Sequence, residues 1–230
     1  MTVLQKTFHN SQVFYDSVLT HRWYDAIGPN VRKWSLVDTY PLDSSTVTAV
    51  NASAITGLAS SLGGGWVFTT AAADNDGVQI QANSEMAYFG GPYPAYFGVR
   101  FRVATIDNHD CFFGCAITDT SILAGCTDDI GFRMVDNDAS ISFITELNSA
   151  ETTVELAELV ANTAVTLEFY YDGVTTVTYY VNGVEAGSVE TTIANMPDDE
   201  HLAPAIALLT GAGGASVMTV LWARFIQVLE

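Results

Sequence analysis

The sequence predicts an all-β, antiparallel sandwich preceded by an N-terminal arm. Three observations lead there: period-two alternation of apolar residues in several runs, small polar turns between those runs, and a composition rich in aromatics and poor in charge. Charged residues make up 15% of the 230 and aromatics 11%. The polar surface is therefore left largely to Thr, Ser, Asn and Gly, a balance that favours strands over helices. A chain of this length suits one large domain and hides roughly 70% of its unfolded surface on folding, with no covalent staple required.

From residue 46 the sequence reads as strands and turns. In AYFGVRFRVAT, Phe97, Val99, Phe101 and Val103 alternate with Gly98, Arg100, Arg102 and Ala104, the pattern of a half-buried strand. In TAVTLEFYYDG, Val165, Leu167, Phe169 and Tyr171 alternate with Thr166, Glu168 and Tyr170, and Asp172-Gly173 turns the chain. VTTVTYYVNG ends at Asn182-Gly183, a pair that tolerates the positive φ of a type I′ hairpin, and VEAGSVE returns. The last run, VMTVLWARFIQVL, is apolar on both faces apart from Arg224, as befits a central strand. Many strands with no long helical pattern make a sandwich or a barrel.

Residues 1–40 differ from the rest. They hold four basic residues (Lys6, Arg22, Arg32, Lys33) against three acids, whereas the remaining 190 hold four basic residues against 23 acids. Phe8, Phe14, Tyr15, Trp23, Tyr24, Trp34 and Tyr40 make this segment too aromatic for a solvated tail. Ser11 is placed to cap a short helix over VFYDSVLTHRWY, with Phe14 and Val18 on one face, and Gly28-Pro29-Asn30 reads as a turn. Two readings of the segment stand side by side. It is an arm that reaches a partner, with the sandwich spanning 41–230, or it completes the sandwich as a first strand and a helix lying on it.

A formal charge of −18 with only eight basic residues argues against nucleic acid and anionic membranes, because phosphate contacts need clustered Lys and Arg. The three cysteines, Cys111, Cys115 and Cys126, include no CxxC pair and form neither a zinc signature nor a complete disulfide framework. They read as buried free thiols of a reducing compartment. The opening MTVLQKTFHN has no apolar core and no small-residue cleavage site, unlike a secretory leader. No phosphate-cradling loop precedes a helix; GAGG at 211–214 lies between strands, so no cofactor is expected.

The stretches FGVRFRV, DCFFGCAITDTSILAG, DDIGFRM, LEFYYDGVTTVTYYVNGVEAGSVE and APAIALLTGAGGASVMTVLWARFIQVLE together resemble concanavalin A-like and laminin-G-like jelly rolls. More narrowly they resemble the capsid decoration, or cement, proteins of tailed bacteriophages. The resemblance covers residues 95–230; the arm matches in position alone. It implies a jelly-roll β-sandwich and a structural virion protein on the capsid exterior, made in the host cytoplasm. The implied partner is the major capsid protein, and a homotrimer is the expected assembly. Lys6, Phe8, Phe14, Tyr15, Arg22, Trp23, Tyr24, Arg32, Lys33 and Trp34 are the expected capsid-binding residues. The same fold serves lectins and glucanases, so fold alone does not choose the function.

The alternative is a carbohydrate-binding module of a host-recognition appendage. In MAYFGGPYPAYF, Tyr88, Tyr93 and Tyr96 are the candidates to stack on a surface glycan; packing of that loop beside a strand is the plainer reading. Catalysis is not expected. Glucanases of this fold carry an ExDxxE strand, which is missing, and the nearest carboxylates, Glu146 and Glu151, are separated by a turn that sets no shared face. Asp107, His109 and Asp110, and Asp74, Asn75 and Asp76, offer metal-ligand atoms but lack a closing Glu, and read as turn formers with no metal.

Overall fold

The computed structural model describes residues 31–35, as backbone, together with 45–58, 65–211 and 214–229. Two antiparallel sheets face each other. In the first, β14 (Val184–Glu190), β13 (Thr176–Val181), β12 (Val165–Tyr171), β7 (Ala95–Val103), β16 (Val217–Val228), β4 (Trp66–Thr69) and β3 (Ala54–Gly57) lie side by side, and β1 (Val31–Ser35) also pairs with β16. The second runs β11 (Ala150–Glu158), β10 (Ser140–Leu147), β9 (Asp129–Met134), β8 (His109–Ala116), β15 (His201–Thr210), β5 (Gly77–Ala82) and β2 (Ser45–Ala49), with β6 (Ala87–Tyr88) on β15. A single turn of helix, α1 (Ile122–Gly125), follows β8.

The strands form where the alternation places them. On β7, Phe97, Val99, Phe101 and Val103 are buried while Arg100 and Arg102 are exposed. Asn182 (φ 53°) and Gly183 (φ 76°) make the two-residue turn between β13 and β14, with Val181 opposite Val184. After β12, the Asp172 carboxylate accepts the N–H groups of Val174, Thr175 and Thr176 and so shapes the next turn. The final strand is central, held by β7 on one side and by β4 and β1 on the other.

That last pairing bears on the boundary expected at residue 40. Val31 through Ser35 align with Val228 through Arg224, so Arg32, Lys33 and Trp34 belong to a strand of the sandwich. The sheet begins inside the supposed arm because β4 covers only the first residues of β16 and leaves the backbone groups of its far half to be paired. The helix expected over residues 13–24 lies outside the described residues.

The core between the sheets is an aromatic seam. Phe169 on β12 meets Phe97 at 5.5 Å and, across the sandwich, Phe143 at 5.9 Å and Phe132 at 6.2 Å. Phe101 meets Phe113 at 4.1 Å, and Phe143 stacks on Tyr179 at 4.6 Å. Cys111 and Cys115 face the same core as free thiols whose ionisation burial pushes well up, and Cys126 is a third buried free thiol, pushed to about 12. Phe169→Ala is expected to destabilise the fold by about 3–5 kcal/mol, read from chemical denaturation. A loss under 1 kcal/mol would show that the seam closes without it.

Candidate functional site

Three places can be tested for function: the outer face of the second sheet, the tyrosine loop, and the polar clusters at the strand ends. The first is filled by the chain itself. Residues 117–128 fold back over β5, β8 and β15, and two glutamines pin them. Gln79 donates from Nε2 to the Asp119 carbonyl at 2.6 Å and accepts the Ile122 N–H at 3.0 Å. Gln81 donates to the Ile117 carbonyl at 2.9 Å and accepts the Asp119 N–H at 3.1 Å. Ile122 and Cys126 then bury themselves against Phe112, Ala116, Ile144, Ala205 and Ala207, a small second core on the outside of the sheet. Between this segment and Thr48, Gln79, Ala207 and Leu209 there remains a groove of about 30 Å3, well below the ~300–1,000 Å3 of small-molecule pockets.

Beside it lies a carboxylate ladder. The residues between Leu147 and Ala150 are Asn148 and Ser149, both with positive φ (51° and 64°), so β10 and β11 form a two-residue hairpin and Glu146 stands directly opposite Glu151. Glu146 in turn pairs with Asp129 on β9. The two glutamates therefore share a face, contrary to the expectation drawn from their spacing. The turn signal that would have placed them is Asn148-Ser149, a pair suited to positive φ.

Arg133, four residues along β9 from Asp129, binds all three carboxylates: Asp129 at 2.8 Å, Glu146 at 3.1 Å, and Glu151. Asp129 is 0% exposed. Burial outweighs the adjacent guanidinium and lifts its carboxyl to about 7. Asp129 is thereby closed to a ligand while Glu151 stays exposed, and the three carboxylates form a cross-strand ion-pair network around Arg133.

The tyrosine loop divides. Tyr88 and Tyr93 remain partly exposed, and their rings flank Gly91, each about 3 Å from where a Cβ would stand. His201, which the sequence reading missed, stacks on Tyr88 with centroids 4.7 Å apart and planes 18° from parallel. It sits 113 residues away, and only the β6–β15 pairing, Tyr88 opposite His201, brings the two together. Tyr96 is a correction. The inward alternation of its neighbours turns it away from the core between the sheets, yet it is 1% exposed and its hydroxyl donates to the Glu168 carboxylate at 2.7 Å. It offers no face to a glycan.

Of the expected capsid-binding residues, Arg32, Lys33 and Trp34 lie in β1. Lys6, Phe8, Phe14, Tyr15, Arg22, Trp23 and Tyr24 lie outside the described residues. Of the two metal-ligand runs, 74–76 is a turn, whereas His109 and Asp110, expected as turn formers, open β8 and pair with Thr210 and Leu209 of β15. Asn75 has φ 63°, and Asp76 accepts the N–H of Ala73 at 3.0 Å and a bond from the Asn51 amide. His109 is buried, its Nδ1–H donating to the Asp107 carbonyl at 3.1 Å; desolvation lowers its pKa and raises that of Asp110. Among the described residues no group of three or more His, Cys, Asp or Glu side chains is placed to hold a metal ion, and no helix is long and apolar enough to cross a membrane.

The two sheets, their antiparallel order and the infolded segment define a concanavalin A-like jelly-roll sandwich. Solved structures share it. A protein of unknown function from Shewanella oneidensis MR-1 superposes with a TM-score of 0.65 at 13% identity, over 93% of this chain and 95% of that one. A Bacteroides ovatus family 16 glycoside hydrolase from a mixed-linkage glucan utilisation locus, solved with a glucan product, gives 0.58 at 9% identity over 85% and 98%. The carbohydrate recognition domain of Emp46p gives 0.56 at 11% identity over 86% and 94%. Identities this low show the fold alone. No protein-family model matches the chain, and no curated protein matches it.

The ladder carries a pH signature. In the unfolded chain Asp129 releases its proton near 3.8, in the fold only near 7. Between those values the folded state holds the extra proton, so this group makes stability fall as pH rises from about 4 to about 7. Denaturation at a series of pH values should show that Asp129→Asn flattens the slope; an unchanged slope assigns it to other groups.

Proposed function

We propose that this protein is a non-catalytic structural component of a virion, a decoration or cement protein bound to the outer surface of a bacteriophage head. The observation that carries the reading is the closure of the second sheet by residues 117–128, pinned by Gln79 and Gln81. With that face filled and its carboxylates clamped by Arg133, the sandwich offers outer surfaces and a partly basic, aromatic N-terminal segment for docking. In this reading Lys6, Phe8, Phe14, Tyr15, Arg22, Trp23 and Tyr24 are anchors on the major capsid protein, continued by β1 with Arg32, Lys33 and Trp34. Aromatic and Arg anchors suit a buried interface. The acidic body keeps the protein off the genome, and a closed ring such as a homotrimer is the assembly proposed.

The test is co-sedimentation with assembled heads of the phage that encodes the protein, before and after removal of residues 1–30, a cut that leaves β1 in its sheet. Wild-type protein is expected to sediment with heads and to raise their melting temperature; the shortened protein, still folded by circular dichroism, is expected to bind at least about tenfold more weakly. A wild-type protein that stays in the supernatant refutes the reading.

A second reading has its own observation, the stacked Tyr88–His201 pair beside Tyr93. A partly exposed aromatic pair is a platform on which a sugar ring can stack, and the solved fold relatives include a carbohydrate recognition domain. On a glycan array, this reading expects a ligand whose signal disappears in Tyr88→Ala; signal that survives the change places any glycan elsewhere.

A further inference from the structure

The outer side of the first sheet carries residues that alternation turns outward and that water nevertheless does not reach. The core between the sheets takes Phe97 of β7, Phe169 of β12, Tyr179 of β13 and Phe225 of β16. Their sequence neighbours Tyr96, Glu168, Tyr170, Tyr180 and Ile226 therefore point the other way, yet each is at most 8% exposed. In register they form one patch: Tyr96 stands between Tyr170 and Ile226, and Glu168 lies between Tyr180 and Gly98. Gly98 leaves room for the Tyr96–Glu168 bond, since a Cβ there would stand 2.2 Å from the Tyr96 hydroxyl. The patch ends at Arg100, which is exposed and donates to the Thr166 hydroxyl at 3.2 Å.

Among the described residues every strand belongs to one of the two sheets and α1 lies on the second, so none of these elements covers the patch. Most of the remaining chain is too short or too far away. Residues 59–64 join β3 to β4, closed off by the Leu58 N–H on the Gly65 carbonyl at 2.8 Å, and β4 meets the opposite end of β16, from Val217 to Val220. Residues 36–44 have to join Ser35 of the first sheet to Ser45 of the second. Residues 212–213 and 230 are too few to span several strands.

Residues 1–30 have both the length and the position. They lead into β1 at Val31, opposite Val228 and two residues from Ile226, which is the buried end of the face. From β1 to β13 is four strand spacings, about 19 Å, and the helix expected over residues 13–24 measures about 18 Å. The aromatic rings of this segment, with Lys6 and Arg22, are chemistry that suits tyrosines grouped around a buried carboxylate.

We infer that residues 1–30 of the same chain dock on the outer face of the first sheet, over Tyr96, Tyr170, Tyr180 and Ile226, and shield Glu168 from water. The inference goes beyond the virion reading and does not depend on it. Where both hold, only the side of the segment turned away from the sheet meets the capsid.

The test is limited trypsin digestion of the native full-length chain, read at the Arg22–Trp23 bond by mass spectrometry beside a synthetic peptide of residues 1–30. Wild type is expected to be cut at least about tenfold more slowly than the peptide. Tyr170→Ala/Tyr180→Ala is expected to remove most of that protection. The milder Glu168→Gln is expected to remove part of it, and serves if the tyrosine pair fails to fold. Arg100→Gln/Arg102→Gln, outside the patch, is expected to leave the rate unchanged. Wild-type cutting at the peptide's rate overturns the inference, as does protection that survives in the patch variants. Protection that is lost on dilution, as light scattering shows an oligomer dissociating, assigns the cover to a second copy and overturns the same-chain occupant.

Discussion

Phe169 touches Phe97 in its own sheet and Phe132 and Phe143 in the facing one, and that contact sets nearly everything else. A ring of that size reaches across the sandwich only if β12 lies in register with β7, Phe169 opposite Phe97. Once that register holds, the period-two geometry of a strand leaves no choice about the other face. Glu168, Tyr170, Tyr96, Arg100 and Arg102 are turned outward by the same constraint that turns the phenylalanines in. The exposed Arg100–Arg102 pair is in this sense a consequence of the aromatic core.

The second sheet solves a different problem. Its outer side carries Phe112, Ile144, Ala205 and Ala207, which water would meet if nothing covered them. The chain covers them with its own residues 117–128, and because a folded-back loop brings buried backbone polar groups with it, the sheet must supply partners. Gln79 and Gln81, buried at 6% and 4% exposure, provide four such bonds between them. A glutamine on a β-strand face is well suited to this, since its amide both donates and accepts. The result is that the part of this outer face over β5, β8 and β15 is occupied by the chain itself.

The strand alternation of residues 95–103 and 165–171, the Asn182-Gly183 hairpin, the central position of the last strand and the free thiols were legible in the sequence, because each depends on residues within a few positions of one another. Steric period, positive φ and burial of small apolar groups are local properties. So was the unequal division of charge, though not its meaning: counted along the chain it separates residues 1–40 from the rest, whereas in space it gathers Arg32, Lys33, Arg100, Arg102 and Arg224 onto three adjacent strands of one sheet.

What only the tertiary structure decided is which distant residues meet. His201 lies on Tyr88 because β15 pairs with β6, Tyr96 is lost to a buried bond with Glu168, and Asp129, Glu146 and Glu151 line up on Arg133 across three strands. The sequence by itself determined the inward faces of residues 95–103 and 165–171, the Asn182-Gly183 hairpin and the central last strand, each fixed by local steric period or positive φ. Sheet order, and with it every site built from more than one strand, was settled by non-local pairing, in which a strand's partner is chosen by the apolar surface and backbone hydrogen bonds that the whole sandwich can satisfy at once.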